Sequence, residues 1–128
     1  MVSLSFRVPA ATPSLNIWQR MHWAKRRKAI ADWTYMVAGA TPKGQAWNPI
    51  GRLRVELTRV SPGNVATGAL LDRDNLWGGA KVLVDALRYR GLIPDDDESS
   101  IELVVTQKHG RPASTLVTLT ELENGEGT

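Results

Sequence analysis

Two groups of aspartates, separated by one predicted helix, are the residues of this sequence best suited to bind a metal ion. The first group is the Asp-x-Asp pair Asp72 and Asp74, and the second is the acidic run 95–98. In an extended stretch Asp72 and Asp74 project to the same side, so both carboxylates can face one cation. If the chain returns after the helix, both groups lie at one end of the sheet. Three converging carboxylates would repel one another unless a hard divalent cation lay between them.

The composition restricts the chemistry of such a site to oxygen ligands. The chain has no cysteine and only two histidines, His22 and His109, which lie far apart in sequence. This excludes a disulfide framework, a thiolate zinc site and a cysteine nucleophile. Carboxylate oxygens favour Mg²⁺, with Mn²⁺ as the alternative, over zinc or copper.

Each of these residues also has a structural interpretation. Asp74 could cap the second helix, since a carboxylate accepts free backbone N–H groups and complements the helix dipole. The acidic run 95–98 could be a solvated loop. Asn75 could either orient a carboxylate or cap the helix. Asp85 lies four residues after Lys81, which predicts an ion pair on the helix surface.

The elements that must position these residues follow from hydrophobic spacing. We predict a single α+β domain over residues 1–128, with a mixed β-sheet and two main helices in the order β-α-β-α-β-β. The predicted segments are a strand at 2–8, a helix at 15–37, a loop at 40–51, a strand at 52–60, a helix at 75–89, an antiparallel hairpin of strands 101–106 and 115–122, and a frayed tail at 123–128.

The first predicted helix carries apolar residues on roughly one stripe. Ser14 or Asn16 is expected to cap it, and Gly39 to end it. The residues of the stripe are Trp23, Ile30, Trp33 and Val37. The near-helical spacing of its tryptophans, which include Trp18, favours the core or a dimer interface over stacking on bases.

Charge is distributed unevenly along the chain. Residues 1–60 contain ten Lys or Arg and two acidic residues, whereas residues 61–128 contain six and eleven. A basic half beside an acidic half suggests one surface for a polyanion and another for cations, although ordinary solvated charge explains the balance equally well. No apolar run approaches the roughly 20 residues that cross a bilayer, and residues 1–11 lack a signal peptide. These features predict a cytoplasmic protein without membrane association.

The spacing of the acidic motifs resembles that of the RusA family of Holliday-junction resolvases. The similar residues are Asp72-x-Asp74-Asn75, Lys81-x-x-x-Asp85-Ala86-Leu87 and Gly91-x-x-x-Asp95-Asp96, preceded by Pro13-Ser14-x-Asn16 and a basic, aromatic-rich helix. The resemblance covers most of the chain. This sequence departs from the family pattern in two places. The spacing between Asn75 and Lys81 is longer, and residues 67–71 contain no arginine where the family has an arginine run before the Asp-x-Asp pair. Contacts with a junction are therefore expected from elsewhere.

The resemblance implies specific roles for individual residues. Asp72, Asp74 and Asp96 would bind the metal, and Lys81 would lie near the scissile phosphate. Asp95 and Asn75 would support them, and Asp97 leaves the register of the second group open by one residue. The residues expected to contact DNA are Lys25, Arg26, Arg27, Lys28, Arg52, Arg54 and Arg73.

The function that follows is Mg²⁺-dependent hydrolysis of a DNA phosphodiester, with four-way junctions as the substrate and a homodimer as the active form. Such small resolvases are often carried by phages or prophages. One rival is a non-catalytic protein that binds branched or single-stranded nucleic acid. Another is a transferase that holds a metal–nucleotide diphosphate through its Asp-x-Asp motif, which lacks an accompanying glycine-rich phosphate loop.

Overall fold

The computed structural model describes residues 2–122 and shows an α+β domain with one mixed four-stranded sheet. Its elements are β1 (Ser3–Val8), α1 (Leu15–Arg20), α2 (Trp23–Ala40), β2 (Leu53–Ser61), α3 (Arg73–Gly79), α4 (Lys81–Tyr89), β3 (Ile101–His109) and β4 (Ser114–Glu121). The predicted order β-α-β-α-β-β is confirmed if each predicted helix is counted as a pair of consecutive helices. The predicted tail at 123–128 lies outside the described residues.

The sheet has the strand order β1-β4-β2-β3, and the predicted hairpin of the last two strands is wrong. β3 pairs in parallel with β2, because α3 and α4 form the crossover that parallel neighbours require. β4 instead inserts between β1 and β2 and is antiparallel to both. Val117 and Leu119 are buried at this central position.

The inner face of the sheet packs against α2 and α4. β1 alternates exposed and buried residues, as its period-two pattern predicts. The largest fully buried side chains are Leu4, Leu53, Leu57, Leu83, Leu87 and Leu119. No helix in the described range 2–122 is long and apolar enough to span a bilayer.

The first predicted helix is divided near Met21 and His22. Ser14 caps α1, with its side chain accepting from the N–H of Ile17, and His22 caps α2 by accepting from Ala24. Gly39 lies inside α2, which ends at Ala40 with Thr41 as its C-cap. Trp33 and Val37 are buried as predicted, but Trp23 is 63% exposed because it begins the second helix instead of continuing the first.

The second predicted helix also consists of two parts, joined at Ala80, and its glycines explain how the site is assembled. α1 crosses α3 at Gly78 and Gly79. A Cβ atom on Gly79 would overlap the carbonyl oxygen of Pro13, and one on Gly78 would lie 2.7 Å from the Leu15 side chain. The backbone of residues 13–14 therefore reaches α3 only because Gly79 has no side chain, and Gly78 leaves room for the Leu15 side chain.

Replacing Gly79 with alanine should lower the free energy of unfolding by about 2 kcal/mol or more, because the new methyl group overlaps backbone that cannot move aside easily. Gly39→Ala is the matched control. A Cβ at that helical position meets nothing within 4 Å, and alanine there should stabilise the protein by about 0.5–1 kcal/mol. Denaturant unfolding of both variants checks the expectation, and equal stabilities would contradict the close contact.

Candidate functional site

The Asp72 carboxylate is held at the beginning of α3. Its Oδ1 accepts a hydrogen bond from the backbone N–H of Asn75 at 2.9 Å, and its Oδ2 accepts one from the Asn75 Nδ2 at 2.9 Å. The expectation of an extended Asp-x-Asp stretch is wrong, because α3 already begins at Arg73 and Asp72 is its cap. Asp74 consequently lies in the first helical turn.

Asn75 connects this carboxylate to α1. While its Nδ2 donates to Asp72, its Oδ1 accepts the backbone N–H of Asn16 at 2.9 Å. The sequence allowed Asn75 either to orient a carboxylate or to cap the helix, and the structure shows it orienting the Asp72 carboxylate. The same link joins the 13–16 segment to the Asp-x-Asp pair, and an open recess of about 530 Å³ lies between them, lined by Leu15, Asn16 and residues 72–75.

The two hydrogen bonds from Asn75, with the backbone N–H contributing most, hold the pKa of Asp72 below its ordinary value. Asp72 is therefore charged at neutral pH. It retains acceptor capacity, since an ionised carboxylate can accept about four hydrogen bonds or metal contacts.

The charge of Asp72 should make the stability of the protein depend on acid pH. Because the folded pKa is depressed, its contribution is present above the unfolded value near pH 4 and is lost as the pH falls through the folded value. Asp72→Asn keeps a good cap without the charge. Its thermal midpoint should lie below that of the wild type at pH 7, and the two should converge below about pH 4. A difference that is independent of pH between 2 and 7 would contradict this assignment.

Asp74 is exposed and lines the same recess. Its position in the first turn of α3 places it near the positive end of the helix dipole. In the part of the chain that the structure describes, it takes part in no ion pair. Its carboxylate is consequently available to a cation.

Asp96 and Lys81 meet in an adjoining groove. The Lys81 Nζ lies 3.8 Å from the Asp96 Oδ2, and the groove around them is lined by Leu15, Trp77, Gly78, Lys81, Val84, Asp96, Ile101 and Leu103. Leu15 borders both this groove and the recess of the Asp-x-Asp pair. Lys81 is the first residue of α4, whereas Asp74 lies in the first turn of α3.

The structure thus places Asp72 and Asp74 in one depression. It places Asp96 and Lys81 in a neighbouring one. Among residues 2–122, no three Asp, Glu or His side chains are gathered in an arrangement that could hold a metal ion. Convergence of all three aspartates on one cation stays a prediction for the metal-bound protein. The donor set itself, which consists of carboxylate and amide oxygens, suits Mg²⁺.

Arg88 is a neighbour of Asp96 that the sequence patterns did not single out. Its guanidinium nitrogens lie 3.7 Å from Asp85 and 3.9 Å from both Asp95 and Asp96. Asp85 therefore pairs with Arg88 and not with Lys81, contrary to the predicted surface pair, and its burial raises its pKa. The spacing of three residues between Asp85 and Arg88 was a visible signal, but the approach of residues 95–96 depends on tertiary structure.

The hydrogen bonds of the acidic run distinguish its members. Asp97 accepts from the Ser99 hydroxyl at 2.8 Å and the Ser100 N–H at 2.9 Å, which commits it to the turn before β3. Asp95 accepts the N–H of Asp96 at 2.7 Å. Asp96 is the member whose side chain lines the groove beside Lys81.

The basic run at the start of α2 is partly engaged in local structure. Arg26 donates to two carbonyl oxygens at the end of α1, at 3.1 and 2.7 Å, and therefore holds α1 against α2. Lys28 pairs with Asp32 at 2.9 Å. Lys25 and Arg27 are exposed, and the Arg27 guanidinium lies 5.0 Å from the centre of an exposed tryptophan ring. These two are the members of the run best placed to contact a phosphate.

The three other arginines predicted to contact DNA also differ in how far local contacts engage them. Arg52 donates to two backbone carbonyls before and within β3, at 3.1 and 3.4 Å, and Arg54 pairs with Glu102 at 3.6 Å. Arg73 lies over the Trp77 ring at 5.5 Å and lines the recess of the Asp-x-Asp pair. Of the three, Arg73 is the one beside the carboxylates.

Comparison with known proteins adds no family to this description. No protein-family model matches the chain, and a search of curated proteins returns no match either.

Proposed function

We propose that this protein is a Mg²⁺-dependent endodeoxyribonuclease that cuts four-way DNA junctions, as its resemblance to the RusA family implies. The observation that carries the proposal is the link from Asn16 through Asn75 to Asp72, with Asp74 in the same recess. A carboxylate fixed in orientation by an amide, beside a second exposed carboxylate, is a suitable pair of ligands for a hard cation. Mg²⁺ is commonly held by one or two carboxylates together with substrate phosphates.

In this proposal Asp72, Asp74 and Asp96 hold the cation, which would lower the pKa of the attacking water and offset charge on the phosphate. Lys81 adds positive charge near the scissile phosphate. Its present partner is Asp96, at 3.8 Å, in an ion pair whose Lys81 side chain is 70% exposed and whose Asp96 side chain is 26% exposed. Solvent screening at the lysine weakens such a pair. Exchange of Asp96 for a phosphate oxygen at Lys81 therefore requires little energy.

We also propose that the active form is a homodimer. A four-way junction has approximate two-fold symmetry and must be cut on two opposed strands, whereas each chain offers one set of carboxylates. Two chains related by a two-fold axis supply the matching pair of sites.

The test is incubation of the purified protein with a plasmid that extrudes a cruciform, with Mg²⁺ and with EDTA. Paired nicks within one binding event should convert the supercoiled plasmid directly to linear product, and EDTA should prevent this. Accumulation of nicked circles would argue against the dimer. Binding of the junction that is equally tight with or without Mg²⁺, and without any nick, would favour the rival function of a non-catalytic binder.

A further inference from the structure

A third depression is lined in part by the residues that directly precede Asp72, and it has the opposite chemical character. It is about 260 Å³ in volume and is lined by Arg59, Ser61, Gly63, Asn64, Thr67 and residues 69–71. Residue 71 belongs to this pocket and residue 72 is the carboxylate that caps α3. The pocket and the Asp-x-Asp pair are therefore consecutive along the chain.

Arg59 supplies the charge of this pocket. Its Nε donates to the carbonyl oxygen of Thr12 at 2.7 Å, which fixes the guanidinium beside the segment that leads into α1. Within residues 2–122, no carboxylate lies at ion-pairing distance from it. Partial burial lowers the pKa of Arg59, as expected for a cation that has lost water without gaining an anion.

The side chains around Arg59 already use their hydrogen-bond acceptors within the loop, whereas their donors have no partner in the described chain. The Ser61 hydroxyl oxygen accepts the N–H of Gly63, the Asn64 Oδ1 accepts two backbone N–H groups, and the Thr67 hydroxyl oxygen accepts the N–H of Ala69. The two hydroxyl hydrogens and the Asn64 Nδ2 have no acceptor among the residues that the structure describes. Together with the guanidinium, they form a pocket that offers donors and suits an anion.

The loop that carries these donors is fixed before any ligand binds. Asn64 exchanges backbone hydrogen bonds with Gly68 and Ala69, at 2.7 and 2.9 Å. From β3, the Gln107 side chain accepts the N–H of Leu71, and the His109 ring contacts the Gly68 carbonyl at 2.7 Å. A pocket held in this way requires little ordering when an anion enters.

We propose that the Arg59 pocket binds a backbone phosphate of the nucleic acid, next to the phosphate at the Asp-x-Asp pair. The proposal rests on the proposed function for its ligand, a phosphodiester, but not for the anion site itself. It also explains how the chain contacts DNA without an arginine run before Asp72, since Arg59 reaches the same place from β2. The bound strand would run from this pocket across the beginning of α3 toward Lys81.

The test uses two probes, neither of which requires metal or cleavage. Inorganic phosphate is titrated into the protein in EDTA and followed by NMR at the amides of Gly63, Asn64 and Thr67. A short single-stranded oligonucleotide is then bound at several salt concentrations by the wild type, Arg59→Gln and Asn64→Asp. Arg90→Gln, which removes the same charge from an exposed site, is the control. Asn64→Asp keeps the acceptor that shapes the loop and replaces a donor with negative charge, so it leaves the hydrogen bond between Arg59 and Thr12 in place.

We expect phosphate to shift these amides, and both pocket variants to bind the oligonucleotide about tenfold more weakly than the wild type. The slope of log affinity against log salt should fall by about 0.7, because one phosphate is no longer neutralised by the protein. The proposed phosphate site would be wrong if both pocket variants lost no more oligonucleotide affinity than Arg90→Gln does. It would also be wrong if only Arg59→Gln lost affinity. Phosphate binding that an oligonucleotide fails to compete away would overturn the nucleic-acid assignment. If the wild type cuts junctions but the variants bind the oligonucleotide normally, the proposed phosphate site is wrong and the proposed function is unaffected. If the wild type cuts no junction, the binding measurements still decide whether the pocket binds phosphate.

Discussion

Replacing Asp74 with asparagine is expected to reduce junction cleavage by at least about 100-fold, because loss of a direct metal ligand should cost at least as much as loss of the groups that orient ligands. The substitution keeps the shape of the side chain and removes its charge. Asp74 is exposed and has no ion pair within the described chain, so folding and junction binding should persist. Cleavage assays, with calorimetric titration of Mn²⁺ as a second readout, check the expectation.

The control for Asp74→Asn is Asp32→Asn, which removes an exposed carboxylate from α2 whose ion-pair partner is Lys28. It should leave both cleavage and metal affinity unchanged. Tight junction binding without nicks in Asp74→Asn alone would support its role as a ligand. Undiminished cleavage by Asp74→Asn would remove Asp74 from the site.

The second large effect is expected for Asp96→Asn, compared directly with Asp97→Asn. Cleavage should fall by about 100-fold or more in the first variant, since Asp96 is the acid beside Lys81 and its charge would no longer reach the metal. Without metal, the same variant should bind junctions slightly more tightly, because Lys81 and Arg88 no longer face that carboxylate.

Asp97→Asn should behave differently. The Asp97 carboxylate accepts hydrogen bonds from Ser99 and Ser100, and these bonds lower its pKa. Its replacement should slightly lower the thermal midpoint and leave cleavage intact. If Asp97→Asn lost cleavage and Asp96→Asn kept it, the third ligand would be Asp97, and the assignment made from the groove would be wrong by one residue.

Local patterns in the sequence determined which segments form strands and helices. The alternation in residues 2–8 and 52–60 predicted β1 and β2, because side chains of a strand point alternately to the two faces of a sheet. Helical spacing likewise predicted α2 and α4. The division at Met21 and His22 was not predictable from spacing, since it depends on Arg26 reaching back to the carbonyls of α1.

The strand order was decided by tertiary structure. Two strands joined by a short connection suggested a hairpin, yet β4 is buried between β1 and β2. The sequence of β4 is compatible with either position, because its inward residues are apolar in both. Only the competition of all four strands for the inner face, together with the crossover through α3 and α4, places β4 at the centre.

In the candidate site, too, some features follow from the sequence and others depend on tertiary structure. The sequence by itself determined the residue types, namely paired aspartates, an asparagine and a lysine at helical spacing, because those depend on local order alone. Tertiary structure decided that Asn75 bridges Asp72 to Asn16, and that Lys81 pairs with Asp96. It also decided that Arg59 shares a pocket with the residues just before Asp72, without an acidic partner in the described chain. The contact between Asn75 and Asn16 joins residues that are distant in sequence, and it needs the close approach of residues 13–15 to α3 that Gly79 permits. The Arg59 pocket likewise depends on the position of β2 beside the loop before Asp72.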